Sequence, residues 1–181
     1  MATELPSLMT VYKGWDDYQI SLVRAIAPRS REELLWRPSP WCRSAGEIAA
    51  HIVAGRVQWF HRVLGEGDDR FAQAVAAWRP EDKIEERPAE LVRWLESTWR
   101  VIETALNRWT VADLAQVYDL PPYKGKKYAL TRQWIVWHVL AHDLHHGGEI
   151  ANVLGMQGIP LPELGDEGGH LSERAPLAEA S

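Results

Sequence analysis

Residues 137–155 read WHVLAHDLHHGGEIANVLG. The run has no proline, and four of the chain's seven histidines fall in it, at 138, 142, 145 and 146. At about 100° per helical residue, with His138 as origin, His142 falls near 40°, His145 near −20°, His146 near 80° and Glu149 near 20°. One arc of about 100° therefore carries five titratable side chains. Ile135 and Val153 fall inside it, so the arc is expected to overlap the core-facing side of the helix. Buried imidazoles need partners. A divalent cation satisfies two or three at once, and histidines four residues apart on a helix can share one ion. The pair is His138/His142 or His142/His146, and His142 belongs to both. The competing reading is a solvated face, or core histidines bonded to carboxylates.

Two ligands do not complete a metal site. Upstream, Ser44-Ala-Gly-Glu47 has the form of a capping box. Ile48, Ile52, Gly55, Trp59 and Val63 then follow one stripe until Gly65. His51 lies at the edge of that stripe, and Gly55 leaves room one turn on. Across a bundle it is the natural third ligand. His61 falls off the stripe, and His170 lies near the end of the chain.

The rest of the chain also reads as helix. Apolar residues recur at helical spacing over 7–27, up to Pro28. Ser30-Arg-Glu-Glu33 is a second capping box. A long helix is expected from Pro88, with Leu91, Trp94, Leu95, Ile102, Leu106 and Trp109 on one face. The last helix is expected over about 130–154, with Gly155 as its C-cap. Residues 65–87 read as a loop or short helix, and DLPPYKGKKY (119–128) as a loop or small hairpin. No alternating strand pattern of useful length stands out. The expected fold is all-α, a four-helix bundle over 1–158, followed by an irregular Pro/Gly/Glu-rich tail over 159–181.

Composition narrows the classes of function. The chain has 181 residues, 46% hydrophobic and 25% charged, as expected of one globular domain. A net charge of −5 gives no basic field, so no nucleic-acid partner is expected. A single cysteine, Cys42, rules out an internal disulfide. No signal peptide and no membrane span are read, so the expected location is cytoplasmic.

The blocks GEIAAHIVAGRVQWF (46–60) and WHVLAHDLHHGGEIANVLGMQG (137–158) resemble the DinB/YfiT-like metalloenzyme family, weakly over about residues 8–158. The resemblance implies an up-down-down-up four-helix bundle, often a homodimer. It implies a divalent metal on three histidines, with water in the remaining positions. Carried over by position, the ligands are His51, His142 and His146. The family usually shows His-Arg-Gly-Gln at the last ligand, whereas this chain has His146-Gly147-Gly148-Glu149. The arginine is missing, and Glu149 adds a carboxylate that can orient His145 or His146 or lie near the metal. His138 and His145 are extra histidines, candidates for second-sphere support or proton transfer. Relatives of this kind include S-transferases that use low-molecular-weight thiols and a mycothiol-dependent maleylpyruvate isomerase.

Three neutral imidazoles leave the ion's charge intact, which lowers the pKa of a bound water or thiol. Three protein ligands with open positions form a catalytic pattern rather than a structural one. Zinc or nickel is expected. The expected activity is a metal-dependent transferase, isomerase or hydrolase on a small-molecule substrate. The alternative is a non-catalytic metal- or small-ligand-binding module. Lys124, Lys126, Lys127 and Arg132 are candidates to attract an anion, though a solvated loop is the better explanation of them. Tyr118, Tyr123 and Tyr128 are candidates to line an entrance, as Trp134 and Trp137 are to wall a pocket or an interface. Trp15, Trp59, Trp94 and Trp109 read as core, Asp143 as a packing or surface residue, and Cys42 as structural.

Overall fold

In the computed structural model the described residues are 5–79, 82–161 and 164. His170 and nearly all of the 159–181 tail lie outside them. The structure is mostly helical. Among the described residues seven α-helices run in order: α1 (Leu8–Val11), α2 (Gly14–Ile26), α3 (Arg31–Leu35), α4 (Ala45–Arg56), α5 (Asp69–Ala77), α6 (Pro88–Arg108) and α7 (Arg132–Gly155). An antiparallel hairpin, β1 (Val117–Tyr123) and β2 (Lys126–Thr131), sits between α6 and α7. The helix expected over 7–27 is thus broken into α1 and α2. The hairpin is longer than the sequence suggested. Its β2 strand is exposed along most of its length, so it lacks the half-buried alternation that marks a strand in sequence.

Local chemistry sets the helix starts. Ser30 and Ser44 each form a complete capping box, with Glu33 and Glu47. Asp68 caps α5 by accepting from the Phe71 amide at 2.7 Å. Pro88 opens α6, and Thr131 caps α7. At its far end α7 runs through Gly155, and the left-handed glycine is Gly158 (φ +80°), three residues past the expected cap.

Helix α4 packs against both α7 and α6, and α2 packs against α6 and α7. Their apolar faces meet in one core, with Trp15, Leu22, Ile26, Ile48, Ile52, Leu95, Ile102 and Ile150 all buried. Directly after α4 the chain widens into a π-helical run, Val57–Val63. The extra residue per turn shifts the register. Val57 and Phe60 enter the core, while Trp59, expected there, is only half-buried and turns to the α4–α7 seam.

At the centre of the core lies a buried ion pair. Arg56 donates through Nε (2.9 Å) and Nη2 (2.7 Å) to Asp143 Oδ2, and both side chains are 0% exposed. Trp15 Nε1 donates to the same oxygen at 2.8 Å. Arg56 Nη1 reaches Gln19 Oε1 (2.7 Å) and the Leu95 carbonyl (3.2 Å). Five residues on α2, α4, α6 and α7 are joined here. Asp143 is thus neither surface nor ordinary packing. The buried face of α7 carries Arg132, Ile135, Val136, Val139, Asp143, Gly147, Ile150, Val153 and Leu154, centred near 120° in the frame used above. The histidine arc therefore overlaps the core face at its edge, at Ile135 and Val153, while the centre of that face lies further round the helix.

Arg132 is also reassigned. It is buried under the hairpin, donates to the Asp113 carbonyl at 3.0 Å and to Gln116 Oε1 and the Tyr118 hydroxyl, and lies 4.2 Å from the Trp109 ring centroid. It pins the hairpin to α6 and is not free to attract a substrate.

Asp143→Ala leaves Arg56 buried without its counter-ion, which typically costs about 3–5 kcal/mol. Urea unfolding is expected to show a loss of that size. Replacing both partners by apolar residues of similar volume should restore much of it.

Candidate metal centre

His51 projects from the middle of α4, and His142 and His146 project from successive turns of α7. One ring nitrogen from each lies within 4.8 Å of the other two. His51 Nε2 and His142 Nε2 are 3.2 Å apart. The ring centroids of His51 and His146 are 4.7 Å apart, and those of His142 and His146 are 4.3 Å apart. The structure therefore brings these three histidines together.

The approach of His142 to α4 depends on a glycine. A Cβ at Gly55 would stand 2.8 Å from His142 Cε1 and 3.3 Å from both ring nitrogens. Only hydrogen at that position lets the His142 ring lie against α4. Another glycine, Gly147, is needed directly after His146, where any Cβ would overlap the Tyr18 hydroxyl. That hydroxyl donates to the Leu144 carbonyl at 3.1 Å, tying α2 to the turn between His142 and His146.

Burial, with help from the neighbouring histidines, pushes the His142 pKa down to about 4. Burial likewise lowers that of His51, with Arg43 adding to the effect. Both rings are therefore neutral near pH 7 and offer a lone pair. His146 Nδ1 is 2.7 Å from Glu149 Oε2. A carboxylate there favours the tautomer with the proton on Nδ1, which leaves Nε2 as the free donor. Burial opposes ionisation of Glu149, but the His146 hydrogen bond and nearby positive charge outweigh it and hold the carboxyl below its usual range.

The donor set fits a divalent metal. Two nitrogens each about 2.0–2.1 Å from one tetrahedral ion lie about 3.3 Å apart, close to the His51–His142 spacing. His142 Nδ1 is buried with no hydrogen-bond partner among the described residues. The nitrogen of that ring that has a neighbour is Nε2, which faces His51 Nε2.

The remaining candidates divide. His145 is 68% exposed, with Nε2 3.4 Å from Glu149 Oε1. His138 stands apart from the three-nitrogen cluster, its ring centroid 6.2 Å from that of His142. It stacks on Trp134 (4.7 Å, 10°) and meets Trp59 edge-on at 5.1 Å. These rings extend the α4–α7 seam by one turn. Trp137 is 59% exposed and Tyr128 is exposed. His61 Nδ1 lies 2.7 Å from the Glu66 carbonyl, away from the cluster. Cys42 is exposed, with the Ser39 hydroxyl donating to Sγ at 3.3 Å. The Arg56–Asp143 pair escaped the sequence reading. Asp143 follows a ligand candidate and Arg56 follows Gly55, and only the buried faces of α4 and α7 reveal that both point inward.

A family profile described as the DinB superfamily matches residues 17–150. A solved structure, a DinB-like protein from Bacillus cereus ATCC 10987, superposes with a TM-score of 0.62 at 16% identity. The match covers 88% of this chain and 98% of that one. At this identity it speaks for the fold alone. A comparison with curated proteins gives no match. No helix among the described residues is long and apolar enough to cross a membrane.

Gly55→Ala tests the close approach. At an open helical site it would raise stability by about 0.8–1 kcal/mol. Against the His142 ring, denaturant unfolding is expected to show a loss of about 1–3 kcal/mol instead. A gain would contradict the contact.

Proposed function

The chain belongs to the DinB superfamily, and we propose that it is a metal-dependent enzyme with zinc or nickel held by His51, His142 and His146. The observation that carries this reading is the convergence of three ring nitrogens from two helices to within 4.8 Å. All three come from neutral-ligand side chains, and no cysteine is near to close the set in the manner of a structural zinc site. Such an ion supplies Lewis acidity, making a water or a low-molecular-weight thiol ionise near neutral pH. The expected reaction class is thiol-dependent S-transfer or isomerisation, with hydrolysis as the counterpart when water takes the open position.

The chain's own residues hold and shape this site. Glu149 fixes the His146 tautomer through Nδ1. His138, with its pKa lowered by burial, stands beside the cluster as a neutral base and is the proposed proton carrier. Trp59 and Trp134 give the substrate an aromatic wall along the same seam. In this reading the molecule is a cytoplasmic homodimer of up-down-down-up bundles acting on a small molecule. It needs neither nucleic acid nor membrane.

Untagged protein analysed by plasma mass spectrometry is expected to carry, or to take up from added zinc or nickel, one ion per chain. The His51→Ala/His142→Ala/His146→Ala variant should hold none. Wild-type protein that takes up neither metal would refute the reading. In the cobalt-loaded protein, added 2-mercaptoethanol should produce a sulfur-to-cobalt charge-transfer band if the open position accepts thiols. Metal binding without such a band and without turnover would favour the non-catalytic module.

A further inference from the structure

A second donor cluster lies on the outer side of His146. His145, His146 and Glu149 each offer one ligand atom within 4.8 Å of the others. Glu149 stands between the two rings. Its Oε1 is 3.4 Å from His145 Nε2, and its Oε2 is 2.7 Å from His146 Nδ1. Helical spacing explains the grouping, since Glu149 is one turn beyond both histidines. The outer members are open to solvent, His145 at 68% and Glu149 at 43% of side-chain area, whereas His146 is at 11%.

We propose that His145, His146 Nδ1 and Glu149 form an outer site for a divalent cation of the zinc or nickel class, filled when the inner site is empty. The inference builds on the inner-site reading, because His146 belongs to both groups. Two imidazoles and one carboxylate suit these metals and disfavour magnesium or calcium. A neutral imidazole has one lone pair on its ring nitrogens at a time. With the proton on Nδ1, His146 serves the inner set. In the other tautomer Nδ1 turns its lone pair outward, to where Glu149 and His145 already stand. The outer site thus receives an ion directly from solvent, one ring's width from the half-buried inner donors. Passing it inward exchanges the ion and one proton between the two nitrogens of the same ring, with no net proton change.

Zinc titration calorimetry on untagged protein tests this, because His51 and His142 serve only the inner site, His145 belongs only to the outer one, and Glu149 reaches the inner site only through His146. The His51→Ala/His142→Ala variant is expected to bind one zinc per chain, more weakly than wild type. Adding His145→Ala and Glu149→Gln should weaken that binding at least tenfold. Circular dichroism confirms that each variant keeps its helix content, and exposed His145→Ala alone, in the inner-site variant, repeats the test with minimal risk to folding. No zinc bound by the inner-site variant, or binding unchanged by the outer substitutions, overturns the proposal. Wild-type affinity retained without His51 and His142 would instead refute the inner site and leave the outer one standing.

Discussion

The buried Arg56–Asp143 pair is the constraint on which the site rests. Arg56 sits five residues after His51 on the same helical run, and Asp143 is the neighbour of His142. Bonds of 2.7 and 2.9 Å between them fix the axial register of α4 against α7. Gln19 and the Leu95 carbonyl accept from the guanidinium, and Trp15 adds a third donor to Asp143 Oδ2, so α2 and α6 join the pair, while Asp143 Oδ1 has no partner among the described residues. A buried pair of this kind gains little net stability over well-packed apolar residues. What it adds is a geometric requirement, because sliding α4 against α7 by one turn would leave both charges unpaired. The His51–His142 approach of 3.2 Å inherits that register.

Small residues then bring the helices close enough for imidazoles to meet. Gly55 accommodates the His142 ring, and Gly147 accommodates the Tyr18 hydroxyl on the opposite side of α7. Polar clamps and glycine contacts thus act together. The clamps set the register, the glycines set the separation, and the histidines occupy the seam between core and solvent. That border position suits a metal site, since the rings are desolvated enough to stay neutral while part of the cluster remains reachable from solvent.

Much of this was legible in the chain itself. The capping boxes at Ser30 and Ser44 and the proline at 88 marked real helix starts, because each is a local hydrogen-bonding or steric device. His51, His142 and His146 could be grouped because their spacing and the family blocks agree. Other features depend on tertiary context. The π-helical run at Val57–Val63 exchanges the places of Trp59 and Phe60, and no residue in it announces the change. The hairpin's β2 strand is mostly exposed and so has no apolar alternation to read. Asp143 looked peripheral because it projects away from the centre of the histidine arc, whereas the core face, which the arc overlaps only at its edge, is centred further round the helix. Arg132 looked like a loop cation until the Trp109 ring and the Tyr118 hydroxyl closed over it.

The central claim is one of position: an ion at the convergence of α4 and α7. Anomalous diffraction at the zinc or nickel edge, on crystals of metal-loaded protein, tests it most directly. The account predicts a peak bonded at about 2.0–2.2 Å to ring nitrogens of His51, His142 and His146 together. A fully loaded crystal with its only peak elsewhere, or with no peak within bonding distance of His51 and His142, would contradict it.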